Sequence, residues 1–136
     1  MINGFQGYVS SRSHAGNFTP QRVQNMVIRE YVKKIGENYL LSATEYYMPE
    51  CYLMLEAVLE NLKGLGGLVF YSTHLLPLKK ENRNRVLNKL LLSDVEVHFA
   101  LEEIQLKRVG DIKIIDDIFL VRELSPCHLD LKEVLK

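Results

Sequence analysis

The chain has 136 residues and a mass of 15.7 kDa, about one average domain, and its 47% hydrophobic and 25% charged residues suit a soluble globule that needs neither disulfides nor a metal. Seventeen Lys+Arg against seventeen Asp+Glu leave no formal net charge and a pI near 6.9, without the basic excess that nucleic acid rewards, so no nucleic-acid partner is expected. The two cysteines lack Cys-x-x-Cys spacing, the N-terminus lacks a basic region with an apolar run, and no apolar stretch has membrane-spanning length, which argues for a cytoplasmic chain with no membrane partner.

Phe5-Gln6-Gly7-Tyr8-Val9-Ser10 is a β-prone run that stops in the polar stretch Ser10 to Asn17, a strand followed by a loop. Thr19-Pro20 supplies a helix cap and a first-turn proline, and Val23, Met26, Val27, Tyr31, Val32 and Ile35 recur at helical spacing up to Gly36. Tyr39 to Ala43 is a second strand. Met48-Pro49 opens a second helix with Leu55, Val58, Leu59 and Leu62 facing inward, ended by Gly64, Gly66 and Gly67. Leu68-Val69-Phe70-Tyr71 is a continuous apolar run of the kind buried on both faces of a parallel sheet, which makes it the central strand. A third helix runs from about Lys80 to Leu92 on the stripe Val86, Leu87, Leu90 and Leu91, and a fourth strand from Val95 to Leu101. Ile104 to Ile115 reads either as a hairpin extension or as an irregular edge, and Asp116 to Leu124 as a closing helix in preference to a strand.

Strand and helix alternate without a repeat or a linker, so residues 1–136 form a single α/β domain. Right-handed crossovers then give a three-layer α/β/α sandwich with a mainly parallel sheet, of the flavodoxin-like kind, which binds ligands at the carboxyl ends of its strands.

The loops at those ends carry the polar chemistry. After the first strand, Ser11, Arg12, Ser13 and His14 lead into a helix N-terminus, either an anion site or a solvated loop in which Thr19 caps its helix. No Gly-rich phosphate fingerprint is present. The second strand ends near Glu45, the third at Ser72-Thr73-His74 and the fourth at Glu102 and Glu103. A histidine, a glutamate and a serine are the parts of a base, an orienting group and a nucleophile, so His74, Glu102 and Ser13 are the catalytic candidates; the alternative for His74 is a turn histidine without chemistry. Gln21, Gln24 and Asn25, with Arg29, mark a polar side of the first helix, either lining the same pocket or facing solvent. His14 and His74 lack a second close ligand, so no metal is expected, and no cofactor motif is present.

The segments Gly7-Tyr8 with Ser11-Arg12, Pro20-Gln21-x-Val23-Gln24-Asn25 with Ile28-Arg29-x-Tyr31, Leu40 to Tyr46, Val69-Phe70-Tyr71-Ser72 with Leu76-Pro77, and His98-Phe99-Ala100-x-Glu102 together resemble the bacterial sporadic carbohydrate cluster family, over about residues 4 to 124. That resemblance implies a cytoplasmic role in surface-polysaccharide (O-antigen or capsule) synthesis. Sugar phosphates or nucleotide sugars are then the implied partners, bound over Arg12 and the first helix start, with Ser11, His14 and Ser72 nearby, Glu45 or Glu102 on sugar hydroxyls and His74 moving a proton. The element order and the hydroxyl-rich first loop are also similar to the catalytic domain of serine recombinases. There the Asp-Arg-x-x-Arg after the third strand is replaced by Thr73-His74-Leu75-Leu76-Pro77, and the long dimer helix and DNA-binding tail have no counterpart, so that likeness implies fold alone. The alternative to a ligand-modifying protein is a non-catalytic scaffold for other polysaccharide-synthesis proteins. Zero net charge suits a homo-oligomer in that role.

Overall fold

Strand and helix alternate along the chain as β1 (Gly4–Ser10), α1 (Gln21–Lys34), β2 (Tyr39–Glu45), α2 (Leu53–Glu60), β3 (Leu65–Phe70), α3 (Lys80–Leu92), β4 (Glu96–Phe99), β5 (Ile104–Leu106) and α4 (Ile112–Leu124). Short 3-10 turns lie at Thr73–Leu75 and Val109–Asp111. The computed structural model describes residues 4–10, 19–46, 48 and 51–124.

The strands form one sheet in the order β2-β1-β3-β4-β5, parallel throughout except for β5, which runs antiparallel to β4. The alternation of side chains along β1 sorts its residues between two cores. Phe5 and Val9 pack with Ile28, Tyr31 and Val32 of α1 on one face, together with Val69 and Ala100. Tyr8 faces the opposite way into the larger core, where Leu68, Phe70, Val97 and Phe99 meet α2, α3 and α4. The result is the three-layer α/β/α sandwich, with α1 on one side and three helices on the other. Leu68, Val69 and Phe70 are fully buried, as a central parallel strand requires.

Several boundaries differ from the sequence expectation, each for a local reason. Thr19 does not cap α1: extended Pro20 (ψ 144°) takes the N-cap position, and its carbonyl accepts from the Val23 and Gln24 amides. The second helix opens at Leu53, not at Met48-Pro49, because Glu45 supplies its cap from the end of β2. Gly66 and Gly67 do not end that helix but belong to β3, where a Cβ on Gly67 would sit 2.6 Å from the Phe5 ring; the missing side chain is the space that ring occupies. The fourth strand stops at Phe99, and residues 100–103 turn the chain back into β5, with Phe99 opposite Ile104. The hairpin reading of that region holds, as does the closing helix, which starts at Ile112. A left-handed Glu103 (φ 56°) closes the turn. That turn carries Glu102 to the mouth of the strand ends.

Candidate functional site at the strand ends

From β1 the chain crosses to β2 on one side, while β3 lies on the other, so strand order reverses between β1 and β3. In a sheet of order 2-1-3-4-5 the crevice over that reversal is the usual ligand position. The two strand ends are joined there, Tyr71 N donating to Tyr8 O across 3.2 Å. The loop expected to bind an anion, with Ser11, Arg12, Ser13 and His14, lies outside the described residues.

Beside this crevice the chain turns sharply after β3, and three distant elements converge on the turn. Ser72 caps it, accepting from the His74 amide at 3.2 Å, and its Oγ also lies 3.0 Å from His74 Nδ1. Glu102 reaches over from the hairpin. Its Oε2 accepts from Ser72 Oγ at 2.9 Å, Thr73 Oγ1 at 2.6 Å and Thr73 N at 3.0 Å, three donors for one carboxylate oxygen. From α4, Arg122 Nη2 donates to Thr73 Oγ1 at 2.5 Å and lies 3.5 Å from Glu102 Oε2. Ser72 and Thr73 are buried, whereas His74, Glu102 and Arg122 are partly exposed. Burial first, and the Arg122 charge second, hold His74 below the usual imidazole range against the opposing pull of Glu102. Burial likewise lowers Arg122 against the attraction of Glu102. The arrangement offers a cation, a neutral imidazole and a carboxylate that holds the turn in shape.

The structure brings Ser72, His74 and Glu102 together, and Arg122 joins them; Ser13, the serine of the expected catalytic set, lies outside the described residues. Nothing in its local sequence marks Arg122; the one available signal was a helix over 116–124 whose last turn carries a single arginine.

The remaining candidates lie elsewhere. Glu45 is 1% exposed, its carboxylate accepting from Tyr8 OH at 2.7 Å, from the α2 amides of Met54 at 3.0 Å and Leu55 at 3.1 Å, and from Tyr46 N at 3.2 Å. It is a buried anchor for a helix N-terminus, where a negative charge is favoured. From β2 to β4 is three strand spacings, about 14 Å, so Glu45 and Glu102 serve different places. Gln24 is buried too, accepting from Ser10 N at 3.1 Å and donating to Ser10 O at 2.6 Å and Thr19 O at 2.7 Å. Its amide holds together the two ends of segment 11–18. Asn25 accepts weakly from Tyr39 OH at 3.5 Å, at the start of β2, and Gln21 is half-buried near the helix start.

A second polar set lies under α1. His98, 1% exposed, places Nδ1 2.7 Å from Tyr31 OH and Nε2 2.9 Å from Glu96 Oε1. An open groove of about 540 Å³ between α1 and the hairpin turn is lined by Val23, Met26, Val27, Lys34 and Ala100 among others, and shares no residue with the strand-end cluster. Among the described residues no group of three or more His, Cys, Asp or Glu is placed to hold a metal ion, and no helix is long and apolar enough to cross a membrane.

The comparison with solved structures places this fold. The chain superposes on a resolvase family site-specific recombinase from Streptococcus pneumoniae with a TM-score of 0.60, covering 96% of each chain at 7% identity. It superposes on the N-terminal catalytic domain of TP901-1 integrase with a TM-score of 0.62, covering 89% of this chain and 96% of that one at 12% identity. At such identities the likeness is one of fold, and the fold is resolvase-like. No protein-family model matches the chain, and no curated protein sequence matches it. The expectation that nucleic acid is not a partner is corrected here. It rested on net charge, and the scaffold found is that of proteins described as a recombinase and an integrase.

Proposed function

We propose that this protein binds a phosphate-bearing carbohydrate, a sugar phosphate or nucleotide sugar, at the carboxyl ends of β3 and β4, as an enzyme or accessory protein of surface-carbohydrate synthesis. The observation that carries the reading is Arg122, set beside His74 and Thr73 next to the crevice where a sheet of this order receives ligands. A guanidinium offers a planar fork of donors to a phosphate, and partial burial strengthens its field. The biosynthetic setting rests on the sequence resemblance alone, since no family model matches the chain. In this reading Arg122 faces the phosphate, His74 a ligand hydroxyl, and Glu102 acts through Ser72 and Thr73.

A second reading takes the phosphodiester of nucleic acid as the anion on the same cation. The fold shared with a recombinase and an integrase favours it.

Thermal unfolding with glucose 1-phosphate, UDP-glucose or a short DNA duplex tests both. A ligand at a hundredfold excess over its Kd stabilises by about 2.7 kcal/mol, which is several degrees in Tm. The first reading expects a shift with a sugar ligand that is lost in Arg122→Ala; a shift with the duplex alone replaces it by the second, and no shift in any arm overturns both.

A further inference from the structure

We infer that Ser72 and Glu102 are positioning residues that fix His74 in the Nδ1–H tautomer, leaving Nε2 as a bare acceptor that takes a proton from a ligand hydroxyl. The role rests on the reading of the strand ends as a ligand site; the tautomer does not.

The Ser72 hydroxyl has one hydrogen and two lone pairs, and three polar neighbours: Glu102 Oε2 at 2.9 Å, His74 N at 3.2 Å and His74 Nδ1 at 3.0 Å. A carboxylate accepts only, and Glu102 already serves as acceptor for Thr73 N and Thr73 Oγ1. The Ser72 hydrogen therefore goes to Glu102. The backbone N–H of His74 takes one lone pair on Ser72 Oγ. The remaining lone pair meets Nδ1, which must then be the donor. A neutral imidazole with its hydrogen on Nδ1 has none on Nε2, and among the described residues no protein group is hydrogen-bonded to Nε2. This is the reverse of the tautomer that a histidine side chain favours in water, so the surroundings select it.

The consequence is a division of labour. An imidazole of the other tautomer would donate to phosphate oxygens, the task proposed above for Arg122. A bare Nε2 instead recognises a hydroxyl. If that hydroxyl gives up its proton, the O–H bond breaks, its electron pair stays on oxygen, and an N–H bond forms at Nε2. The resulting imidazolium keeps its Nδ1–H on Ser72, whose own hydrogen points at the Glu102 carboxylate, so the new positive charge is stabilised through two hydrogen bonds.

Long-range proton–nitrogen NMR of the 15N-labelled full chain at neutral pH reads the tautomer without any ligand. The His74 signal, among four histidines, is assigned by its loss in His74→Asn. The expected result is a protonated-type Nδ1 and an unprotonated-type Nε2, with the pattern kept in Ser72→Thr and shifted towards Nε2–H in Ser72→Ala. A wild-type ring with its hydrogen on Nε2, or a Ser72→Ala ring unchanged from wild type, overturns the inference. Should Ser72→Ala fail to fold, the wild-type spectrum and Ser72→Thr decide. A failed ligand screen removes the ligand-site reading and leaves this measurement intact.

Discussion

The Glu102 carboxylate and the Arg122 guanidinium meet on one hydroxyl: Thr73 Oγ1 donates to Glu102 Oε2 across 2.6 Å and accepts from Arg122 Nη2 across 2.5 Å. Through that buried hydroxyl the hairpin turn and the last helix are tied to the end of the central strand. Thr73→Val keeps the shape and removes both bonds, leaving a carboxylate and a guanidinium short of a partner, at a cost of about 1–3 kcal/mol. Glu102→Ala is expected to cost more than Thr73→Val, and Thr73→Ser less. Urea unfolding with an unchanged m-value is the measurement.

The Glu45 anchor makes a separable claim. Tyr8→Phe removes one of its donors, and Glu45→Ala removes the acceptor for Tyr8 and two α2 amides together. Expected losses are about 1 kcal/mol for Tyr8→Phe and about 3 kcal/mol for Glu45→Ala. Because the two side chains share a bond, the double mutant should fall short of their sum by about 0.5–1 kcal/mol. Strict additivity would show that the bond does not operate in solution.

Stability should fall on both sides of neutrality, from the Tyr31–His98 pair. Burial lowers the His98 pKa below 6.5 in the fold, outweighing the attraction of Glu96. The unfolded chain then binds the proton first as pH drops, so stability is lost below about pH 6.5 by at most about 1.4 kcal/mol per pH unit, levelling off below the folded pKa. His74 contributes with the same sign. Tyr31 is raised above 10.0 by burial and by the charges of Glu103 and Glu96, so the unfolded chain ionises first above pH 10 and stability falls again. His98→Gln should flatten the acid limb and Tyr31→Phe the alkaline one in denaturation curves taken across pH.

Gly67→Ala should be destabilising by about 1–3 kcal/mol, since the new methyl lands 2.6 Å from the Phe5 ring. Adding Phe5→Leu should recover part of that loss in Tm, because the obstacle is the far end of a ring and not backbone.

What was legible in the sequence was apolar pattern. Leu68 to Phe70 as a fully buried strand follows from an unbroken apolar run, and Val86, Leu87, Leu90 and Leu91 as the inner stripe of α3 from helical periodicity. Polar residues were less readable, because their roles depend on partners remote along the chain. Glu45 and Gln24 look like site residues for the same reason that they are good clamps, each being a polar group beside a strand end. Gly66 and Gly67 look like helix punctuation until the Phe5 ring is seen above β3. Arg122 could not be read as part of the strand-end cluster, since Thr73, which it touches, lies 49 positions away.

The strand-end cluster is stitched by bonds between residues 29 and 49 positions apart. Arg122 lies on the last helix, so its bond to Thr73 cannot form until α4 has docked on the assembled sheet. During refolding, ellipticity from helices and sheet should therefore recover ahead of the His74 environment. A partly folded chain would have its scaffold without the Thr73–Arg122 stitch, which makes the His74 signal a stricter gauge of native structure than any spectrum of the backbone.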